Sequence, residues 1–241
     1  MKQEALNNIT HSTVLVDSQY KKNHGYDFNL VSVFPVEYIK LQSHYPIFFT
    51  KNKDTNSYQT VAVMGFDQNE NLFLGDDGLM ASYIPLSLQR LPFYIGKKSK
   101  LHDGVPVNEK ILCIDIDHPS VNYETGNNIF LEHGGHSEYL DHINQVLFTI
   151  DENLDELSEF SQILSSYELF QSLELKIDFG NNEDYVFSGL STINEDRLKG
   201  LDGKSLLKLH QKGYLQHIYM IAASIGNMNN LINFKKTKKS D

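Results

Sequence analysis

The stretch from Pro46 to Leu74 reads PIFFTKNKDTNSYQTVAVMGFDQNENLFL and contains three short apolar runs separated by polar turns. The runs are Ile47 to Phe49, Thr60 to Phe66 and Asn71 to Leu74. They are rich in aromatic and β-branched residues, which is typical of strands, and connections this short join antiparallel neighbours. The stretch therefore predicts an antiparallel meander of three strands.

The hydrophobic period changes from strand to helix near Ser137, after a predicted loop from Gly96 to Asn108 and a predicted strand from Lys110 to Ile116. From Ser137 onward apolar residues recur every three or four positions, which predicts a helix packed on the sheet. Thr149 and Glu152 have the spacing of a capping box, and this predicts that a second helix begins there.

Two strand-like runs follow, from Leu173 to Phe179 and from Tyr185 to Leu190. Gly180-Asn181-Asn182 between them is a turn signal, so the three segments predict a hairpin. The remainder of this half of the chain is helical in pattern. The sequence as a whole predicts an α+β fold, with an antiparallel meander and packed helices in the N-terminal half and a mainly helical C-terminal half with one hairpin.

The last fifty residues predict three helices. Thr192 and Glu195 have capping-box spacing and predict a short helix, and Ser205 to Lys212 predicts another that ends at Gly213. Tyr214 to Phe234 is mostly apolar and predicts one long, largely buried helix. Its predicted core positions are Ile218, Ile221, Ala222 and Ile225.

The length of 241 residues and a hydrophobic fraction of 40% suit one large domain with a substantial core. The first 25 residues are polar and have no strong period, so we predict an N-terminal arm over 1–25. The domain is predicted over 26–234. A basic flexible tail is predicted over 235–241, which contains Lys235, Lys236, Lys238 and Lys239.

The body of the chain is strongly acidic. Residues 1–234 contain 17 basic and 30 acidic side chains, while the whole chain has a formal charge of -10. A body this acidic repels phosphate backbones, which argues against nucleic acid as a partner. The partners that remain are another protein or a small anionic ligand that binds at a local cationic group.

No apolar window in the sequence is long enough to cross a membrane or to form a signal peptide. Cys113 is the one cysteine, and it lies in an apolar run that suggests a buried thiol rather than a nucleophile. An internal disulfide is impossible with one cysteine, so a reducing compartment is allowed. We therefore predict a cytoplasmic location.

The sequence contains no nucleophile elbow, no phosphate-binding loop and no dinucleotide fingerprint. His136 and Glu138 mimic the first two ligands of a two-histidine, one-carboxylate iron site, with His210 or His217 as a third. Their glycine-rich surroundings favour an exposed turn. We therefore predict no metal, and the sequence leaves open both the cofactor and whether the protein is an enzyme.

Arg90 lies between Tyr83-Ile84-Pro85 and Pro92, in the most unusual segment of the chain. A guanidinium held by rigid neighbours suits a carboxylate ligand, because its fork donates to two oxygens at once. The alternative is an internal ion pair with Asp76, Asp77 or Glu37. The predicted ligand-binding residues are Arg90, Tyr83, Glu37 and Asn71.

The order of short segments along the chain resembles the SapC family. The segments that carry the resemblance are Pro46 to Phe49, Glu70 to Phe73, Tyr83 to Pro85, Arg90 to Phe93, Gly189 to Glu195, Leu209 to Leu215 and Ser224. They cover roughly residues 26 to 233. The family pattern usually has a tryptophan shortly after the glycine of its first turn, and this chain has Leu79-Met80 there and no tryptophan.

The resemblance implies a modest functional expectation. The family is named from a surface-layer (S-layer) gene cluster, and other members lie near genes for outer-membrane receptors and flavin-halogenase-like proteins. A membrane-spanning peptide-transport permease of the same name is unrelated. The implied role is a cytoplasmic accessory or binding protein, linked to surface-layer or outer-membrane receptor and uptake systems. The alternative is a small-ligand-binding protein or enzyme, oxidative and metal-dependent.

Overall fold

The structure, a computed structural model, describes residues 2–53, 55–75, 78–102, 105–178 and 184–240. Its contacts group the chain into two compact units. Unit 1 comprises residues 1–27, 74–78 and 86–150, and unit 2 comprises residues 28–73, 79–85 and 151–241. The single domain over 26–234 stays a prediction.

The chain has a mixed α+β composition in which every strand pairing is antiparallel. The strands are β1 (Gln3–Ala5), β2 (Leu15–Val16), β3 (Leu30–Ser32), β4 (Ile47–Lys51), β5 (Tyr58–Val63), β6 (Phe93–His102), β7 (Val105–Asp115), β8 (Val121–Asn122), β9 (Asn127–Asn128), β10 (Phe170–Asp178) and β11 (Asp184–Ile193). The helices are α1 (Tyr38–Leu41), α2 (Leu86–Gln89), α3 (Glu138–Ser166), α4 (Glu195–Lys199), α5 (Gly203–Gln211), α6 (Tyr214–Ser224) and α7 (Met228–Ser240).

Unit 1 contains two three-stranded sheets, with strand orders β1-β7-β6 and β8-β2-β9. Both contribute to one apolar cluster. Phe93 of β6 and Ile114 of β7 are Cα partners and are fully buried. They pack with side chains from the first turns of α3, which include Leu140 and Ile143. This cluster anchors the segments that carry Arg90 and His118.

Unit 2 contains a five-stranded sheet with the order β10-β11-β4-β5-β3. The pairing of β4 with β5 confirms the first two strands predicted from Pro46 to Leu74, and the pairing of β10 with β11 confirms the predicted hairpin. The hairpin turn itself, Gly180-Asn181-Asn182, lies outside the described residues.

The third predicted strand, Asn71 to Leu74, is wrong. The segment turns instead, because the side chain of Asn71 accepts a 3.0 Å hydrogen bond from the backbone N–H of Phe73. Leu72, Phe73 and Leu74 are nevertheless buried. Their apolar character correctly indicated burial, but a buried turn and a buried strand have the same apolar pattern in the sequence.

The predicted loop from Gly96 to Asn108 is also wrong, because most of it belongs to the β6–β7 hairpin. This segment is rich in lysine, which is unusual inside strands. Lysines are common where a strand lies at the edge of a sheet. The Lys100 and Glu109 side chains form an ion pair across the hairpin.

The two helices predicted after Ser137 are one helix, α3, of 29 residues. Thr149 does not open a new helix there. Its hydroxyl donates a 2.8 Å hydrogen bond to the carbonyl oxygen of Gln145, one turn earlier in the same helix. Ser137 caps the N-terminus of α3, since its Oγ accepts from the backbone N–H of Leu140 at 3.1 Å.

Two features of the C-terminal helices differ from the prediction. The cap of α4 is Asn194, whose side chain accepts from the backbone N–H of Arg197 at 2.9 Å, while Thr192 belongs to β11. The predicted last helix is interrupted at residues 225–227 by a 3-10 turn. Asn227 in this turn donates to the carbonyl oxygens of Gln42 and Tyr45, at 2.8 and 3.3 Å, which holds the chain there.

Other features of this region agree with the prediction. Gly213 follows α5 with a φ of 74°, as expected for a left-handed glycine that ends a helix. Ile218 and Ile221 of α6 are fully buried. Ala222 of α6 and Ile225 of the 3-10 turn are only partly buried.

Both chain ends take part in the fold. In the segment predicted as an arm, β1 pairs with β7, and Val14 and Val16 belong to the apolar cluster of unit 1. In the segment predicted as a flexible tail, Lys235 is a buried residue of α7, and its ammonium group contacts the carboxylates of Asp67 and Glu70. The polar composition concealed both contacts, since charged side chains count as solvated in a sequence pattern.

Candidate functional site

Arg90 follows α2 directly, at the start of the segment that leads into β6. Its backbone N–H donates to the carbonyl oxygen of Leu86 at 3.0 Å, and its own carbonyl accepts from the N–H of Phe93 at 2.7 Å. Leu88 and Phe93 are buried on either side of it. The backbone of Arg90 is therefore fixed by a helical turn before it and a core strand after it, as the two prolines of this segment predicted.

The guanidinium of Arg90 is partly buried and donates from Nη1 to the carbonyl oxygen of Phe93 at 2.9 Å. Burial lowers the pKa of Arg90, because removal from water disfavours its charge. Within the described ranges it forms no ion pair with a carboxylate. Of the predicted ion-pair partners, Asp76 and Asp77 lie outside the described residues, and Glu37 belongs to unit 2.

His118 is an electrostatic neighbour of Arg90 in unit 1. Its Nδ1 accepts from the backbone N–H of Ser120 at 3.2 Å and from the Ser120 hydroxyl at 2.7 Å, so the neutral ring carries its proton on Nε2. That Nε2 is buried against the backbone of Gly25, whose hydrogen-bonding groups favour the protonated ring. Burial lowers the pKa of His118, and the nearby Asp115 carboxylate opposes this only in part.

The backbone approaches the His118 ring closely at Gly25. Gly25 has a φ of 80°, and a Cβ at this position would lie 2.5 Å from His118 Nε2. No other residue fits both the left-handed backbone and this contact. Gly25 therefore allows the loop before β3 to close over the imidazole ring.

Three tyrosines stand in the same part of unit 1. The Tyr26 ring meets the His118 ring edge-on, with centroids 5.9 Å apart, and lies 4.8 Å from the Tyr20 ring. The Tyr139 ring packs edge-on against Phe93 at 6.1 Å. The hydroxyls of Tyr20 and Tyr139 have no hydrogen-bond partner among the described residues.

Burial sets the acidity of these tyrosines. It raises the pKa of Tyr26 to about 12 and raises the pKa of Tyr20 and Tyr139 further. The Tyr139 pKa also rises because the Tyr26 and Tyr20 hydroxyls are near it. All three hydroxyls are therefore protonated donors at neutral pH. The hydroxyls of Tyr20 and Tyr139 and the Arg90 guanidinium, all in unit 1, are donors of the kind that an anion accepts.

The sequence analysis found Arg90 in this group but missed Tyr20, Tyr26, His118 and Tyr139. The four residues lie on three separate segments of the sequence, and no spacing links those segments to Arg90. The signal that was present is compositional: the N-terminal segment contains Tyr20, Tyr26 and His24 in a stretch that otherwise reads as polar.

Tyr83 and Glu37 are brought together in unit 2. The Tyr83 hydroxyl donates to Glu37 Oε2 at 3.1 Å, and Glu37 Oε1 accepts from the backbone N–H of Phe34 at 3.0 Å. Burial, and then the Glu37 carboxylate, raises the pKa of Tyr83. Glu37 is only 1% exposed. This pair therefore ties the segment around Tyr83 to the turn that begins α1, and its role toward a ligand stays a prediction.

Asn71 also belongs to unit 2 and is buried. Its Oδ1 holds the turn at Phe73, and its Nδ2 lies 3.5 Å from the sulfur of Met64. Through these contacts Asn71 stabilises the turn. A ligand role for Asn71 stays a prediction.

The weak metal candidates occupy exposed positions. His136 Nδ1 lies 3.3 Å from the Asp141 carboxylate, in unit 1, and Glu138 begins α3. His210 lies on α5, in unit 2. Among the residues that the structure describes, no group of three or more His, Cys, Asp or Glu side chains is arranged to hold a metal ion.

Comparison with known proteins gives one match, to a protein family. No curated protein and no solved structure matches the chain. In the described ranges, no helix has both the length and the apolar character needed to cross a bilayer. The sequence pattern of the SapC family matches residues 6–231, nearly the whole chain, and the segments that suggested this resemblance all lie inside the match. The chain therefore belongs to the SapC family.

Proposed function

We propose that this SapC protein is a binding protein that captures a small carboxylate ligand at Arg90, and that it acts in the cytoplasm as an accessory to a surface-layer or outer-membrane uptake system. The observation that carries the proposal is the state of the Arg90 guanidinium. It is partly buried, and it donates to a backbone carbonyl instead of forming an ion pair with a described carboxylate.

The two arginines of the chain differ in this respect. Arg197 is about half exposed, and its Nη2 lies 3.1 Å from the Glu168 carboxylate. Arg90 has lost part of its hydration, and no described carboxylate pairs with it in return. Burying a charge without a partner costs free energy. An anionic ligand would supply that partner, and the guanidinium fork would bind two of its oxygens.

The residues around Arg90 specify the rest of the ligand. The protonated hydroxyls of Tyr20 and Tyr139 are donors that a carboxylate or a neighbouring oxygen accepts. The Tyr20 ring is only partly buried and packs on the buried Tyr26 ring, so it provides flat apolar surface beside them. We therefore expect a small carboxylate with a planar or apolar body, rather than a phosphate-rich ligand.

Isothermal titration calorimetry tests this with benzoate and 3-phenylpropionate as probes and the corresponding amides as uncharged analogues. We expect the acids to bind and the amides to bind at least about tenfold more weakly, because charge-assisted hydrogen bonds are lost. Arg90→Met should weaken binding of the acids by at least about tenfold, since the guanidinium is removed but the apolar stem is kept. Arg197→Met is the matched control and should bind them as the native protein does.

Equal binding of acids and amides, or full binding by Arg90→Met, would overturn the ligand proposal. The cellular role is tested separately, by complementation of a deletion strain with the Arg90→Met gene. The alternative function, an oxidative metal enzyme, is tested by elemental analysis of protein purified without a metal-affinity tag. Iron or zinc at one equivalent per chain would favour it.

A further inference from the structure

In the β1-β7-β6 sheet of unit 1, no described strand pairs with the first half of β7 on the side away from β6. On one side, β7 pairs along its length with β6, from Val105 to Ile114. On the other side, β1 pairs only with Cys113 to Asp115, and one more bond joins the Leu6 N–H to the Leu112 carbonyl at 2.8 Å. The chain then leaves the sheet at Asn7. The first half of β7 is therefore an edge on this side.

The hydrogen bonds show which backbone groups face this edge. The Leu112 carbonyl accepts from β1, whereas the Asp115 N–H donates toward the β6 side, to Pro92 at 3.1 Å. The backbone N–H and C=O groups of successive residues in a strand point to opposite sides, so those of the even-numbered residues of β7 point to the β1 side. Asn108 therefore directs its N–H and carbonyl to the side where β1 is absent. Pro106 has no N–H, and it limits any added strand to the stretch after it.

A cleft of about 560 Å³ adjoins this edge. Its apolar surface comes from Leu6, Ile111, Leu112 and Phe130. Its polar surface comes from Asn7, Asn8, Lys98, His136 and Asn144. The Asn8 side chain donates to the Gly134 carbonyl at 3.2 Å, which fixes one end of the cleft. The volume lies in the range of ordinary ligand sites, and it is large enough for a few side chains of a peptide.

Two exposed apolar side chains are sequence neighbours of residues that line the cleft. Ile9 is 82% exposed and follows Asn8, and Leu131 is 58% exposed and follows Phe130. The Gly134 N–H donates to the Leu131 carbonyl at 2.8 Å, so the turn between them is held in place. Paired exposed apolar residues beside a groove are typical of interaction sites.

The charge of the edge selects the partner. Between Lys97 and Lys110 the hairpin contains four lysines and two acidic residues, a net charge of +2 on a chain of -10. Lys98 lies on the wall of the cleft. An acidic side chain that enters the cleft would lie beside its ammonium group.

We propose that the β7 edge from Asn108 to Ile111, with the adjoining cleft, binds an extended acidic segment of a protein partner as an added strand. Main-chain hydrogen bonds to Asn108 provide affinity, and alternate side chains of the segment enter the cleft beside Lys98. This site is separate from the one around Arg90, so the two proposals succeed or fail independently.

Fluorescence anisotropy tests the proposal with a labelled synthetic peptide of alternating glutamate and valine, and a lysine–valine peptide of equal length as its counterpart. We expect the acidic peptide to bind at least about tenfold more tightly than the basic one. Asn108→Pro removes the N–H that faces the open edge and leaves the β6 pairing intact, so it should weaken binding by at least about tenfold. Asn108→Ala keeps that N–H and should bind within about twofold of the native protein.

Lys98→Glu should weaken binding of the acidic peptide by at least about tenfold, whereas Lys176→Glu, an exposed charge reversal on β10 of unit 2, should not. Circular dichroism of each variant shows that the hairpin is retained. Equal binding of the two peptides, or undiminished binding by Asn108→Pro, would overturn the proposal. So would a native homodimer in sedimentation that Asn108→Pro dissociates, because the occupant would then be a second copy of the chain.

Discussion

The backbone N–H of Ile47, at the start of β4, donates a 2.9 Å hydrogen bond to the hydroxyl oxygen of Ser224, at the end of α6. The Ser224 hydroxyl in turn donates to the Ile221 carbonyl at 2.7 Å. Both serine contacts are fully buried. One side chain thus satisfies both a strand donor and a helix acceptor. The first of these bonds joins residues that are 177 positions apart in the sequence.

Ser224→Ala should lower the free energy of unfolding by about 1–3 kcal/mol, because it leaves the buried Ile47 N–H without an acceptor. Ser166→Ala is the matched control, since the Ser166 hydroxyl is exposed and donates to the Ile163 carbonyl of its own helix. Its effect should stay within about 0.5 kcal/mol. Urea titration measures both, and an equal effect of the two substitutions would show that the Ile47 bond contributes little.

Ile221→Asp should destabilise the protein by several kcal/mol, because it places an unpaired charge where the structure has a fully buried isoleucine. Tyr219→Asp, on the same helix but 58% exposed, should change stability far less. Thermal unfolding compares the two variants. An unchanged melting temperature for Ile221→Asp would contradict the burial of this helix face.

The sequence predicted these helices because their apolar residues recur with helical period. It predicted β4 and β5 because both runs are rich in aromatic and β-branched residues. The prediction was wrong where a hydrogen bond from a side chain to the backbone changes the local structure. Asn71 turns a strand-like run through its own backbone contact, and Asn227 holds a 3-10 turn inside an apolar helix pattern. Such contacts depend on residues distant in sequence or on local turn geometry, which periodicity does not contain.

Arg90→Met should change the free energy of unfolding by no more than about 1 kcal/mol. It removes one hydrogen bond to the Phe93 carbonyl and leaves no described carboxylate unpaired. A buried ion pair would give a different result, a loss of about 3–5 kcal/mol, because its carboxylate would be left uncompensated. Urea titration of this variant therefore decides between the ligand site and the internal ion pair that the sequence left open.

Acid should destabilise unit 1 through His118. Burial lowers its folded-state pKa below the usual value of about 6.5, so its contribution to stability is complete above that pH and is lost as the pH falls through the folded-state pKa. His118→Asn keeps an acceptor for the Ser120 N–H and removes the titration. Unfolding measured from pH 8 to pH 5 should be less pH-dependent in this variant. An equal pH dependence of stability in the native protein and in this variant would contradict a role of His118.

Lys235→Met should cost about 1–3 kcal/mol, although Lys235 lies in the segment predicted as a flexible tail. Burial opposes the charge of Lys235, but hydrogen bonds to Asp67 and Glu70 outweigh this and raise its pKa. Glu70 also accepts from the Phe66 N–H at 2.8 Å, so the ammonium group braces a turn of unit 2. Lys22→Met, an exposed lysine, is the control, and equal melting temperatures of the two variants would show a solvated tail.

The candidate site was only partly predictable. Arg90 was recognisable because a lone arginine between prolines is rare, but its donor neighbours come from segments with no shared motif. Tyr83 and Glu37 were predicted as ligand residues for their position in the same unusual stretch, and the structure shows that they bind each other. Polar residues in a sequence do not reveal whether their partner is a ligand or another part of the chain.

Cys113 is the chain's one thiol, and it lies buried in β7 between Ala5 of β1 and Tyr94 of β6. The strand beside it has Gly96, where a Cβ would come within 2.6 Å of the sulfur. A thiol reagent reaches such a group only when the strands separate. The rate of labelling by a chromogenic disulfide therefore reads out how often this sheet opens in the native protein, with no engineered probe, and occupancy of the neighbouring edge by a peptide would slow it.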